Sequence, residues 1–165
     1  MQRAPSLGLL ALIPTLALQA APDFQDYAVP ASQIFKGKSA APRFKTAGQR
    51  NFRTMIREGA TKGAVFAGHY AVAQWGCGSA CVQVALIDVQ TGEVFDGPLG
   101  ALPDARISFE LTGDADRDAK QGIEYRIDSR LWIARGCPNE ANCGVYYYEW
   151  MGAGFKLLSR TLAKQ

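Results

Sequence analysis

Residues 66–88 read FAGHYAVAQWGCGSACVQVALID. From Tyr70 to Trp75, Ala71, Ala73 and Trp75 fall on one face of a strand and Tyr70, Val72 and Gln74 on the other, because successive side chains point to opposite sides. Cys81 to Asp88 is rich in Val, Leu and Ile, the composition of a central or half-buried strand. The glycine-rich loop 76–80 between them is short, so the two segments read as a hairpin. The same stretch holds the single histidine, His69, two of the four cysteines and one of the three tryptophans.

Working outward, Thr91-Gly92 reverses the chain into Glu93–Phe95, a second hairpin signal. Ile107, Phe109 and Leu111 alternate with Ser108 and Glu110, a strand with one wet face. Ile123–Ile127 and Arg130–Arg135 are strands split by Asp128-Ser129, and Gly144–Trp150 and Phe155–Leu162 are two more. On the other side lies one amphipathic helix, Thr46 to Glu58. Thr46 is its N-cap and Gly59 its left-handed stop. Phe52, Met55 and Ile56 make its apolar stripe, with Arg50, Arg53 and Arg57 on other faces. A row of arginines is a candidate anion site, but a solvated helix face is its plainer reading. One helix followed by seven or eight short strands, without strand–helix alternation, predicts an α+β fold: a mainly antiparallel meander, barrel-like or packed against the N-terminal helix.

The chain begins with Arg3, an apolar run from Leu7 to Leu18 and small residues at Ala20-Ala21. The run is shorter than the roughly 20 residues a spanning helix needs. The pattern is that of a secretory signal peptide over 1–20. Residues 21–43, with Pro22, Pro30 and Pro42, read as an extended lead-in, and 44–165 as a single globular domain. The formal charge is +3, from 18 basic and 15 acidic residues; losing Arg3 leaves 17 basic. That balance argues against a nucleic-acid partner. No span is expected once the signal is removed, and the location implied is periplasmic or secreted. Four cysteines in an exported chain imply two disulfides. Cys77 and Cys81 bracket one predicted tip and Cys137 and Cys143 another, which favours local bridges and leaves the two crossed pairings open.

Several constellations bear chemistry. Cys77-x-x-x-Cys81 has neither the spacing nor the helix N-terminus of a redox dithiol, and with His69 it matches no common zinc spacing. No metal and no cofactor is therefore expected. His69 is a candidate general base, with a hydrogen-bonded structural residue as its plainer reading. A triad of Ser79, His69 and Asp88 is the kind of combination any chain of this size offers. Asp114, Asp116 and Asp118 open like a calcium loop, but Ala119 and Tyr125 stand where that loop needs Gly and Glu. Tyr146, Tyr148 and Trp150 share a strand face that is either core or a stacking platform. His69, Tyr70, Trp75, Gly76 and Gly78 form the candidate binding set.

Phe-Ala-Gly-His-Tyr at 66–70, Trp-Gly-Cys-Gly-x-x-Cys at 75–81, Asp-x-x-Thr-Gly at 88–92 and Tyr-Tyr-Tyr-Glu-Trp at 146–150 resemble a family of small exported bacterial proteins. The resemblance covers roughly residues 44–160. It implies export, a bacterial source and a single domain, and is silent on substrate and mechanism. The functional expectation is a non-enzymatic binding or inhibitory module of the cell envelope with disulfide-shaped loops, taking an envelope protein or a small ligand. The alternative is a small secreted hydrolase using His69 in a cleft beside the Gly76–Ala80 loop.

Overall fold

The computed structural model describes residues 20–100, 102, 104–109 and 121–163. The predicted signal segment, apart from Ala20, and the acidic loop 114–118 lie outside the described residues.

Eight strands form one antiparallel sheet: β1 Tyr70–Gly76, β2 Cys81–Asp88, β3 Val94–Asp96, β4 Ile107–Ser108, β5 Gly122–Tyr125, β6 Leu131–Pro138, β7 Gly144–Trp150 and β8 Phe155–Leu162. β1 and β2 make the expected hairpin, in register from Tyr70↔Asp88 to Gly76↔Val82. The order runs β1-β2-β4-β6-β7-β8, with β3 on β2 and β5 on β6. β1 and β8 do not pair with each other, so the sheet is open and the barrel-like alternative does not hold. The strand expected over 107–111 is only the two residues of β4 within the described part; Phe109 has left it, and Glu110 and Leu111 lie outside.

Two packing layers follow from the alternation. Tyr70 and Val72 of β1 and Val84 and Leu86 of β2 face Trp132 and Ala134 of β6 and Tyr146, Tyr148 and Trp150 of β7. Phe66 lies fully buried among them, with ring centroids at 5.3 Å from Trp132, 6.1 Å from Tyr125 and 6.2 Å from Phe155. Such aromatic pairs each add about 0.5–1.5 kcal/mol beyond burial. The Tyr146–Tyr148–Trp150 face is therefore core, not an exposed platform.

The opposite face of β1 and β2, with Ala71, Ala73, Trp75, Ala85 and Ile87, receives Ile56 and Ala60. These come from helix α2, Arg53–Ala60, preceded by α1, Ala47–Asn51. The single helix predicted over Thr46–Glu58 is thus two short ones, broken at Phe52 (φ −102°, ψ 20°). Phe52 turns its ring onto Trp75, centroids 4.9 Å apart, and that contact overrides helix continuity. Thr46 does cap α1, accepting from Gln49 N–H at 3.1 Å.

The lead-in is not a loose extension. It carries two 3-10 turns, Phe24–Tyr27 and Ala31–Gln33, the first closed by an Asp23 capping box. Its backbone is tied to the sheet by Val29 N–H to Asp128 O (2.8 Å), Ala40 N–H to Val89 O (2.8 Å) and Arg43 N–H to Gly92 O (2.7 Å).

Gly59 tests this packing. An added Cβ would sit 2.5 Å from Ala73 Cβ and 2.6 Å from its Cα. Helix propensity alone would make Gly59→Ala stabilising by about 1 kcal/mol. Overpacking instead makes it destabilising by roughly 1–3 kcal/mol, read as a lowered Tm in a thermal melt. The core tyrosines give a second test. Burial raises the Tyr70 and Tyr125 phenols, and takes Tyr148 from 10.0 to about 12. A group whose folded pKa is raised contributes stability that is complete below the unfolded value and is lost as pH climbs through the folded one. Stability therefore falls between about pH 10 and pH 12, and urea midpoints measured across that window fall with the rising pH.

Candidate functional site

The His69 end is built by a tight turn. Phe66 and Tyr70 exchange both backbone hydrogen bonds at 2.9 Å, and Ala67, Gly68 and His69 close the loop between them. Ala67 (φ 43°) and Gly68 (φ 85°) are left-handed. That conformation costs an alanine roughly 1–2 kcal/mol, and it persists only where the surroundings over-determine it. Here they do. Ala67 N–H donates to Arg126 O (3.3 Å) and Gly68 N–H to Ile127 O (2.7 Å); Gly68 O accepts from Phe35 N–H and His69 O from Val89 N–H, both at 2.9 Å. Arg126 forks onto Asp128 at 2.7 and 2.8 Å, and this bond holds the Asp128 carboxyl below its ordinary range.

His69 is half-buried, its ring centroid 4.3 Å from that of Tyr70. It lines a cavity of about 360 Å³ with Gln33, Arg130, Glu149, Trp150 and Met151. Glu149 accepts from Arg130 Nη2 at 3.1 Å and makes no hydrogen bond to the imidazole. Among the described residues no serine, threonine or cysteine lines the cavity; the hydroxyl that does is the phenol of Tyr70, whose pKa burial raises.

Of the remaining predicted site residues, Tyr70 also lines this cavity and the others lie elsewhere. Between His69 and Cys77 stands the whole of β1, and at about 3.3 Å per residue the two ends are roughly 25 Å apart. His69 accordingly does not occupy a cleft beside the Gly76–Ala80 loop, and extended strand geometry is the reason. Tyr70 is core. Trp75 is also buried, donating from Nε1 to Gln83 Oε1 at 2.9 Å. Asp88 closes the β2–β3 turn: its Oδ1 accepts from Gln90 N–H (2.8 Å) and its Oδ2 from Thr91 Oγ1 (2.9 Å). Ser79 is exposed at the far tip, so the Ser79–His69–Asp88 triad is not assembled.

What the fold does bring together is the two tips. The disulfides are Cys77–Cys81 and Cys137–Cys143, the local pairing. Both flank β4: Ser108 is the register partner of Cys81 on one side and of Cys137 on the other. At about 4.8 Å per strand, the staples sit roughly 10 Å apart on one edge. Phe109 N–H donates to Ala80 O (2.7 Å), Asn139 N–H to Arg106 O (3.0 Å) and Arg106 N–H to Asn139 Oδ1 (3.2 Å), while Arg106 pairs with Glu140 at 3.0 Å. Gly136 permits the approach, since a Cβ there would lie 2.7 Å from Ser108 O. Gly78 and Ser79 are exposed on one tip and Asn139–Asn142 on the other. Ala80, Asn139, Glu140 and Asn142 all hold positive φ. The exposed Gly76 ends β1, and Gly78 (φ 133°) has open space around it. Arg106, Ser108, Asn139 and Glu140 carried no sequence signal for this role; a two-residue strand has no periodicity to read.

Both disulfides occupy all four thiols, and among the described residues no three of His, Cys, Asp and Glu gather as metal ligands. Two disulfides are compatible with an oxidising extracellular compartment, and no described helix is long and apolar enough to cross a membrane. The chain is thus a disulfide-stapled protein built mostly on one open antiparallel sheet. Comparison with protein-family models, with curated proteins and with solved structures finds no match to it.

Adjacent substitutions separate the roles of the turn. Gly68→Ala places a Cβ 3.0 Å from both Gln33 O and Val29 Cγ1, in left-handed backbone. It is expected to lower stability by roughly 1–3 kcal/mol. His69→Ala, which removes no hydrogen bond, is expected to stay within about 0.5 kcal/mol. Chemical denaturation of the two variants beside the parent reads both.

Proposed function

We propose that the chain is a non-enzymatic binding module, exported to the cell envelope, that engages a partner protein through its two stapled tips. The observation that carries this reading is the placement of both disulfide loops on one edge, joined through Ser108. Loop ends held by a disulfide and by cross-loop hydrogen bonds lose little further freedom on binding, which removes a main cost of association. Left-handed backbone at Ala80 and Glu140, neither of them glycine, is the kind of strain that marks binding loops. The signal-like segment at 1–20 and the two disulfides support export to an oxidising compartment.

A hydrolytic reading has one observation in its favour, His69 and Glu149 in the same cavity. It would need water as nucleophile. Glu149 is already committed to Arg130, which leaves the imidazole without an orienting carboxylate. The tips are the better-supported site.

Photo-crosslinking from Ser79 or Ala141 in envelope preparations is expected to give a discrete adduct that Thr54, on α2, does not. Cys77→Ser/Cys81→Ser should reduce that adduct at least about tenfold while costing only about 2 kcal/mol of stability, because so short a loop holds little unfolded-state entropy. Equal adducts from all three positions, or an adduct indifferent to the disulfide, would contradict the proposal.

A further inference from the structure

Charge is segregated along this chain. Residues 36–62 carry eight of its 18 basic residues and a single acid, Glu58; the other 14 acids lie outside that segment. All eight cations are exposed, on the lead-in and on the helices that cover the outer side of β1 and β2.

Their surroundings differ from those of four arginines of the second half. Arg106, Arg126, Arg130 and Arg135 each hold a carboxylate, from Glu140, Asp128, Glu149 and Glu124 in turn. Among the described residues, Arg43, Arg50, Arg53 and Arg57 hold none. Among the described residues, Lys45 is the one cation of this segment that is paired with a carboxylate, that of Glu93. Arg50 and Arg53 donate to the backbone carbonyls of Lys45 and Arg50, each at 3.3 Å. Arg57 lies over the Phe44 ring, 5.4 Å from its centroid, which fixes its position without cancelling its charge.

Between segment 37–42 and the C-terminal end of α2 runs a groove of about 600 Å³. Lys38, Arg57 and Lys62 stand at its rim, small apolar residues such as Ala40 and Ala60 form its floor, and among the described residues no acid lines it. The carbonyls of Glu58, Gly59 and Ala60 that end α2 accept from Thr61, Lys62 and Gly63 N–H, and the cations at the rim offset the negative end of the helix dipole. Met55, an exposed apolar side chain, sits among the arginines on the same helix.

We propose that this face docks on an anionic phospholipid surface, with a phosphate headgroup entering the groove, independently of the tips. Charge complementarity carries the proposal: unneutralised cations spread over a whole layer suit an extended anionic surface better than a point ligand. The apolar side of α2, Ile56 and Ala60, packs on the sheet, so the attraction is electrostatic, with the exposed Met55 adding one apolar contact.

Cosedimentation of the full chain with phosphatidylcholine vesicles, with and without phosphatidylglycerol, tests it. The neutral vesicles set the baseline contributed by the apolar run at 7–18. Phosphatidylglycerol is expected to raise binding above that baseline, and added salt to reduce it. Arg53→Gln/Arg57→Gln should lose about tenfold or more of the added affinity. Lys156→Gln/Arg160→Gln, an equal change of charge on β8, should lose less than about twofold. Should the first variant melt early through loss of the Phe44 contact, Arg50→Gln/Arg53→Gln leaves that contact intact and carries the same expectation. Binding indifferent to phosphatidylglycerol, or weakened equally by the β8 pair, overturns the proposal. So does heparin or short DNA displacing the vesicles through the same arginines at equal charge concentration, which would make the face a general polyanion site.

Discussion

The structure depends on the hydrogen-bonded turn at Ala67–His69. Three residues there tie three separate parts of the chain, the lead-in through Phe35, the β5–β6 connection through Arg126 and Ile127, and the end of β2 through Val89, while the flanking Phe66–Tyr70 pair closes the turn onto the start of β1. Each bond is ordinary, worth about 1 kcal/mol net. Together they offset a left-handed alanine and hold Phe66 at the centre of the aromatic core. The concentration of unusual residues in FAGHY is explained by this architecture: glycine for the close approach to Gln33 and Val29, aromatics for the core on both sides.

With the organising turn at one end of the β1–β2 hairpin, the other end is left for the stapled tips, and the outer layer for the basic face. The two disulfides bracket four- and six-residue separations and constrain little of the unfolded chain. Their effect is local: they hold loop ends beside β4, where Ser108 joins both halves of the sheet. Stability thus resides in the buried layers and shape in the tips. The two can vary separately, as they do wherever a rigid scaffold presents variable loops.

Strand periodicity made much of this legible in the sequence. β7 and β8 begin and end where alternation and turn residues place them, and the β1–β2 hairpin follows from apolar alternation around a glycine-rich loop. The cysteine spacings favoured the local bridges that form. What could not be read depends on contacts distant in sequence. Phe52 breaks its helix to reach Trp75, β4 joins the sheet halves through only two residues, and the lead-in is fixed by carbonyls some 50–100 residues away. The candidate site was mislocated for the same reason. Residues 66–81 are contiguous in sequence, but a strand of seven residues holds their chemistry apart, burying Trp75 beneath the helices and leaving His69 at the far end. The arginine row on the helix was visible; its lack of carboxylate partners among the described residues was not, since that depends on where distant acids fold.

Native-state hydrogen exchange tests most directly whether the Ala67–His69 turn is the structural hub. The amides of Phe35, Gly68, Tyr70 and Val89 should exchange only through global unfolding, with one common opening free energy equal to that from denaturant melts, although three of them lie outside regular strands. Exchange of Gly68 or Phe35 at the rate of a freely opening loop, with Tyr70 still protected, would contradict the account and make the turn an appendage of the sheet rather than its anchor.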